Sequence, residues 1–174
     1  MRKKLLLIAV DTNVLLDEED GDADVLDALE TLRERLPHAQ FVITETVFQE
    51  LAWIYEQGDT SSKRKLAEGA LTKLLARGYT PMNFSPLERG ILAEISLKIR
   101  MKELVPHEEA GDSMVIAEAA WKGCEILLTS DGHILNANEE IETLWAILKD
   151  SDTEKHQIVL SKPRTLVRKY RLKR

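Results

Sequence analysis

Cysteine occurs once in the 174 residues, as Cys124. That excludes an intrachain disulfide and any zinc site built on thiolates. Five prolines and eight glycines are too few for a long flexible linker or a collagen-like repeat. Long apolar runs are missing as well: no segment approaches the ~18 residues of a membrane span. Met1-Arg2-Lys3-Lys4 ahead of Leu5–Val10 has the outline of a secretory signal. That apolar run is too short, and it ends at Asp11 without a small-residue cleavage site. There is no Walker-type loop and no dinucleotide fingerprint. The four histidines (His38, His107, His133, His156) lack paired zinc spacing. These absences predict a cytoplasmic protein that does not enter membranes.

What is present is the composition of a globular chain, 44% hydrophobic and 31% charged. Its length predicts one domain over residues 1–174, with enough chain to bury a core. The net charge of −6 is unevenly spread. Seven basic residues and no acid fall between Lys162 and Arg174, which leaves −13 on the remainder. This basic C-terminal tail reads either as an edge that holds polyanions or as a solvated, frayed terminus.

Leu5–Val10 is continuously apolar, as are Phe41–Ile43, Ile126–Leu128 and Ile158–Leu160. Unbroken hydrophobicity in short runs marks strands covered on both faces of a parallel sheet. Helical patterns fill the intervals: Val25 to Leu36, Thr44 to Gln57, Ser61 to Gly78, a segment opened by Ser85, Pro86 and Glu88, one after Gly111-Asp112, and Asn138 to Lys149. Ser85, Pro86 and Glu88 form a capping-box start signal. The spacing predicts an α/β fold with a mainly parallel sheet, and a helical lobe without a strand between Thr46 and Leu104. The acidic run Asp17–Asp22 reads as an exposed loop, lacking the ligand spacing of a calcium loop.

Acidic residues stand where strands end. Asp11 follows the first strand and Asp131 the Ile126–Leu128 strand, and ligands of open parallel sheets bind at such carboxyl ends. Asp112 opens a helix. Glu50 and Glu45 both lie at the border of a helix's apolar face, and helical geometry alone does not choose between them. Each has a plain alternative as a cap, a turn residue or a solvated side chain. Together they would repel unless protonated or joined by a hard divalent cation such as Mg²⁺ or Mn²⁺. Thr12, Asn13 and Thr129 could support such a site or simply cap turns. Cys124 and the tryptophans Trp53, Trp121 and Trp145 read as core or interface residues, and His107-Glu108-Glu109 as a polar loop.

Leu7–Leu16, with Val10-Asp11-Thr12-Asn13 at its centre, resembles the opening motif of the PIN-domain nucleases, which include the toxin ribonucleases of toxin–antitoxin pairs. Ile43–Leu51 is similar to the second motif, where a Glu precedes Leu and so favours Glu50. Gly111–Ala120 and Leu127–Asp131 are similar to the third and fourth, though Gly132-His133-Ile134-Leu135 replaces the aromatic often found there. The resemblance implies a three-layer α/β/α fold and Mg²⁺- or Mn²⁺-dependent endoribonuclease activity. Asp11, Glu50, Asp112 and Asp131 would form its metal-binding, catalytic cluster. RNA would be the substrate, an antitoxin or a second copy a possible partner. Rival readings are a non-catalytic RNA-binding scaffold on the same fold and a small-molecule phosphohydrolase; against the haloacid-dehalogenase form of the latter, the second aspartate of that motif is Asn13.

Overall fold

The computed structural model describes residues 5–171, with the side chains of Tyr170 and Arg171 left aside. The signal-like Met1–Lys4 and the basic Lys173 and Arg174 lie outside the described residues. Five strands, β1 (Leu6–Val10), β2 (Ala39–Ile43), β3 (Tyr79–Pro81), β4 (Ile126–Leu128) and β5 (Val159–Ser161), form an all-parallel sheet in the order β3-β2-β1-β4-β5. The expected runs became strands because both faces of the sheet are covered. Ile8, Ala9, Val10, Ile43, Leu127 and Leu128 have no exposed surface, and burying each large aliphatic is worth roughly 1.5–3 kcal/mol. Helices flank the sheet, giving the α/β/α arrangement.

They are α1 (Thr12–Asp20), α2 (Ala23–Arg35), α3 (Glu45–Gln57), α4 (Ser61–Lys73), α5 (Pro86–Met101), α6 (Ala110–Trp121), α7 (Gly132–Asn136), α8 (Ile141–Asp150) and α9 (Pro163–Arg171). None of them is long and apolar enough to cross a membrane. The start signal before α5 is realised in full: Ser85 Oγ accepts from the Glu88 backbone N–H, and Glu88 accepts from that of Ser85.

Four expectations need correction. Asp17 to Asp20 are helical, not a loop: α1 carries them until Gly21, whose φ of +80° closes the helix in the left-handed region. Tertiary partners explain the difference, because Glu18 is buried against Arg33 and the Tyr79 hydroxyl, cations and donors that a local pattern does not reveal. The lobe from Thr46 to Leu104 does contain a strand. β3 sits at the sheet edge, where Pro81 does no harm to the ladder. The helix expected from Ser61 to Gly78 stops at Lys73. Finally, the basic stretch is no frayed tail through residue 171. α9 docks on α2, burying Leu166 and Val167, and Arg164 pairs with Asp24.

Strand order reverses between β1 and β4, since β2 and β3 lie to one side of β1 and β4 and β5 to the other. The crevice at the carboxyl ends of these two strands is the topological switch point. Asp11 leaves β1 there, its backbone N–H donating to Leu128 O at 2.9 Å.

Candidate metal centre

Asp11 is the N-cap of α1 and only 5% exposed. One carboxylate oxygen accepts from the Thr12 backbone N–H at 2.8 Å and the other from the Thr129 hydroxyl at 2.6 Å. Burial pushes its pKa up; the two hydrogen bonds pull down less than that, and Asp131 adds repulsion. Thr129 also accepts from the Asp131 backbone N–H at 3.0 Å, so one hydroxyl couples the two strand ends. Asn13 closes the same seam by accepting from Ser130 N–H at 3.2 Å. The short polar residues after each strand therefore support the carboxylates as well as shaping turns.

Asp131 is the N-cap of α7, accepting from the backbone N–H groups of His133 (2.7 Å) and Ile134 (3.4 Å). This is the capping role that its position before Gly132 allowed, and Asp131 performs it while lying close enough to repel Asp11, Glu50 and Asp112.

Glu50 reaches the crevice from α3 and accepts a hydrogen bond from the Thr12 hydroxyl. Burial raises its pKa, the Thr12 bond opposes this, and Asp11, Asp131 and Glu109 push it further up. Glu45, the other candidate, turns away to pair with Arg89 at 2.5 Å. The approach of Glu50 also accounts for Gly111: a Cβ there would stand 3.0 Å from a Glu50 carboxylate oxygen. Asp112 follows in the first turn of α6. Burial, then Asp131, Asp11, Glu109 and Glu50, push its carboxyl up to about 7. Its Oδ2 is shielded from solvent and accepts no hydrogen bond among the described residues.

Two residues sequence reasoning passed over belong here. Glu109, read as polar loop, is the N-cap position of α6, three residues before Asp112. His133 places Nδ1 3.4 Å from Asp112 Oδ2, 3.7 Å from Glu109 Oε1 and 3.8 Å from Asp131 Oδ1. One ligand atom each from Glu109, Asp112 and His133 lies within 4.8 Å of the others, a group that could hold a metal ion. A buried Glu118 contributes from further along α6. It accepts from the Thr46 N–H at 3.2 Å and hydroxyl at 2.9 Å, and so fixes the start of α3 against α6 and with it Glu50 against Asp112.

Among the described residues, no lysine or arginine makes an ion pair with Asp11, Glu50, Asp112 or Asp131. The basic helix does not supply one: Lys169 lines a cleft with Leu6, Glu125 and Gln157, at the opposite ends of the strands. Cys124 is buried, and burial pushes its thiol up to about 12, the opposite of the lowered pKa of an activated nucleophile. Trp121 and Trp145 are half-buried and tied down by hydrogen bonds, donating to Glu88 at 3.1 Å and Ile158 O at 2.9 Å, whereas Trp53 is 62% exposed.

Comparison with known proteins agrees with this fold. The crystal structure of VapBC2 from Rickettsia felis bound to a DNA fragment from their promoter contains a similar fold. It matches with a TM-score of 0.59 at 14% identity, over 90% of this chain and 98% of that one. No curated protein sequence matches the chain. The PIN domain model matches residues 8–140, a span that takes in all four carboxylates and the strand ends that bear them, and the chain belongs to the PIN-domain family.

Proposed function

We propose that this protein is a divalent-metal-dependent endoribonuclease, a single PIN-like domain whose Asp11, Glu50, Asp112 and Asp131 hold Mg²⁺ or Mn²⁺ and carry the hydrolysis of RNA phosphodiester bonds. The observation behind it is the convergence of mutually repelling carboxylates from β1, α3, α6 and the β4–α7 turn without a lysine or arginine partner among the described residues. The shielded Oδ2 of Asp112, which accepts no hydrogen bond among the described residues, is the atom that such an ion would satisfy, so the donor set fits a hard cation. When bound, the ion polarises a phosphodiester and lowers the pKa of water beside it.

The chain's own groups prepare that chemistry. Thr129 and the Thr12 backbone fix both oxygens of Asp11. The Thr12 hydroxyl orients Glu50, leaving its second oxygen beside Gly111. With the Asp112 carboxyl pushed up to about 7 by burial and its acidic neighbours, the metal-free site is only partly ionised under neutral conditions, and metal binding competes with the remaining proton.

Within the family, the likeness to a VapBC pair supports a toxin of a toxin–antitoxin pair. Its partners would be an antitoxin segment packed on the site or on α3 and α4, and a second copy of the chain, with exposed Trp53 on α3 a ready contact. Its setting would be the reducing cytoplasm, which suits a lone buried thiol. The test is incubation of the purified protein with single-stranded and transfer RNAs, with Mg²⁺ or Mn²⁺ and with chelator, beside Asp112→Asn. Cleavage that needs metal and disappears in the variant supports the reading. Intact RNA that is nonetheless bound points instead to a non-catalytic scaffold.

A further inference from the structure

We infer that His133 and Glu109 extend the carboxylate centre into a mixed nitrogen–oxygen site that selects Mn²⁺ over Mg²⁺. The inference rests on the metal-dependent reading above and goes beyond its four carboxylates. Its geometric basis is that His133 Nδ1 faces three carboxylates at once, at 3.4 Å from Asp112, 3.7 Å from Glu109 and 3.8 Å from Asp131. These separations exceed a good hydrogen bond of ~2.7–3.2 Å. They suit donors arranged around a common centre, since one atom each of Glu109, Asp112 and His133 lies within 4.8 Å of the others. An ion with bonds of ~2.0–2.3 Å spans that distance.

A second observation points the same way. The carboxylate oxygen nearest the imidazole, Asp112 Oδ2, is the one shielded from solvent without a hydrogen bond. The histidine is also held from below: Asp131 caps the backbone N–H groups of His133 and Ile134, and Ile134 is fully buried. That anchors the first turn of α7 and keeps the ring at the crevice.

Donor type decides the consequence. Mg²⁺ takes oxygen ligands in near-ideal octahedra and dehydrates reluctantly; Mn²⁺ also favours oxygen, but as a first-row transition ion it takes an imidazole nitrogen more readily than Mg²⁺ does. Adding one nitrogen to a carboxylate set therefore raises affinity for Mn²⁺ relative to Mg²⁺. Glu109, an oxygen donor, strengthens both ions alike.

Pulsed electron paramagnetic resonance of the full chain loaded with Mn²⁺ reads the ligand directly, because a bound imidazole imprints ¹⁴N modulation. The expected result is ¹⁴N modulation in the wild type and none in His133→Gln. Competition titrations should show the Mn²⁺/Mg²⁺ affinity ratio falling about tenfold in that variant, the lower end of effects seen around metal ligands. Glu109→Gln should weaken both ions and leave the ratio unchanged. Bound Mn²⁺ without ¹⁴N modulation, or an unaltered ratio in His133→Gln, overturns the inference while leaving the carboxylate centre in place. Failure of the wild type to bind Mn²⁺ at all overturns both.

Discussion

α1 has carboxylates at both of its ends, and they are treated in opposite ways. At its C-terminal end Glu19 pairs with Lys73 at 2.7 Å and Arg77 at 2.6 Å, while Glu18 meets Arg33 at 3.4 Å and accepts from the Tyr79 hydroxyl at 2.7 Å. Burial pushes Glu19 up, but the two cations outweigh it and its pKa ends below the ordinary value. At the N-terminal end, the helix dipole favours an anion and Asp11 gains two hydrogen bonds. Even so its pKa is raised, as are those of Glu50 and Asp112. Among the described residues, the lysine and arginine that pair with acids of α1 or of the crevice all stand at its C-terminal end. One acidic group is neutralised within the molecule, whereas the carboxylates at the other end repel one another, and that contrast is what the proposed metal site rests on.

Four perturbations would break or sharpen that contrast. The largest effect should come from Asp112→Asn, which is expected to lower RNA cleavage about a hundredfold or more, since metal stabilisation of the transition state is worth several kcal/mol; initial rates on a labelled RNA measure it. Next, Thr12→Val and Thr129→Val each remove a hydroxyl that holds a site carboxylate. Hydrogen bonds to charged groups are worth about 1.5–3 kcal/mol, so metal affinity by calorimetry should weaken roughly tenfold or more in each.

A smaller effect concerns stability without metal. Asp112 holds its proton in the folded state up to about 7 but releases it near 4 when unfolded. Its contribution is therefore neutral below that lower value, stability falls as pH rises between the two, and the loss is complete above the upper one. Asp112→Asn should raise the metal-free melting temperature at pH 8 by several degrees and leave it unchanged near pH 3, as thermal melts at both pH values would show.

The opposite end of α1 should give the opposite sign. Glu19 contributes stability above its ordinary value of 4.5, lost as pH falls through its lowered pKa. Glu19→Gln should cost about 0.5–1 kcal/mol at pH 7, the modest figure reflecting solvent screening of the half-exposed Lys73. Denaturant melts should find that cost vanishing in acid.

The same contrast explains what the sequence could and could not disclose. The strands β1, β2, β4 and β5 were legible because sheet burial demands continuous apolar runs, and the ends of β1 and β4 pointed to Asp11 and Asp131. β3 was hidden, being three residues long with Pro81 at its end. The helix under Asp17–Asp20 was hidden because its stabilising cations lie fifteen to sixty residues away in sequence. Helical periodicity left Glu45 and Glu50 equivalent; family resemblance favoured Glu50, and the physical reason is that Arg89 claims Glu45. A lone histidine two residues past Asp131 carries no spacing signal, so His133 and Glu109 emerged only when α6 and α7 were brought together.

The most direct test of the account is the melting temperature of the full chain with chelator and with Mn²⁺, for the wild type and Asp112→Asn together. A ligand at a hundredfold excess over its Kd stabilises by about 2.7 kcal/mol, so the wild type should gain about 5–10 °C and Asp112→Asn close to nothing. Equal gains in both proteins, or no gain in either, would contradict the claim that the carboxylates at the N-terminal end of α1 await a metal ion.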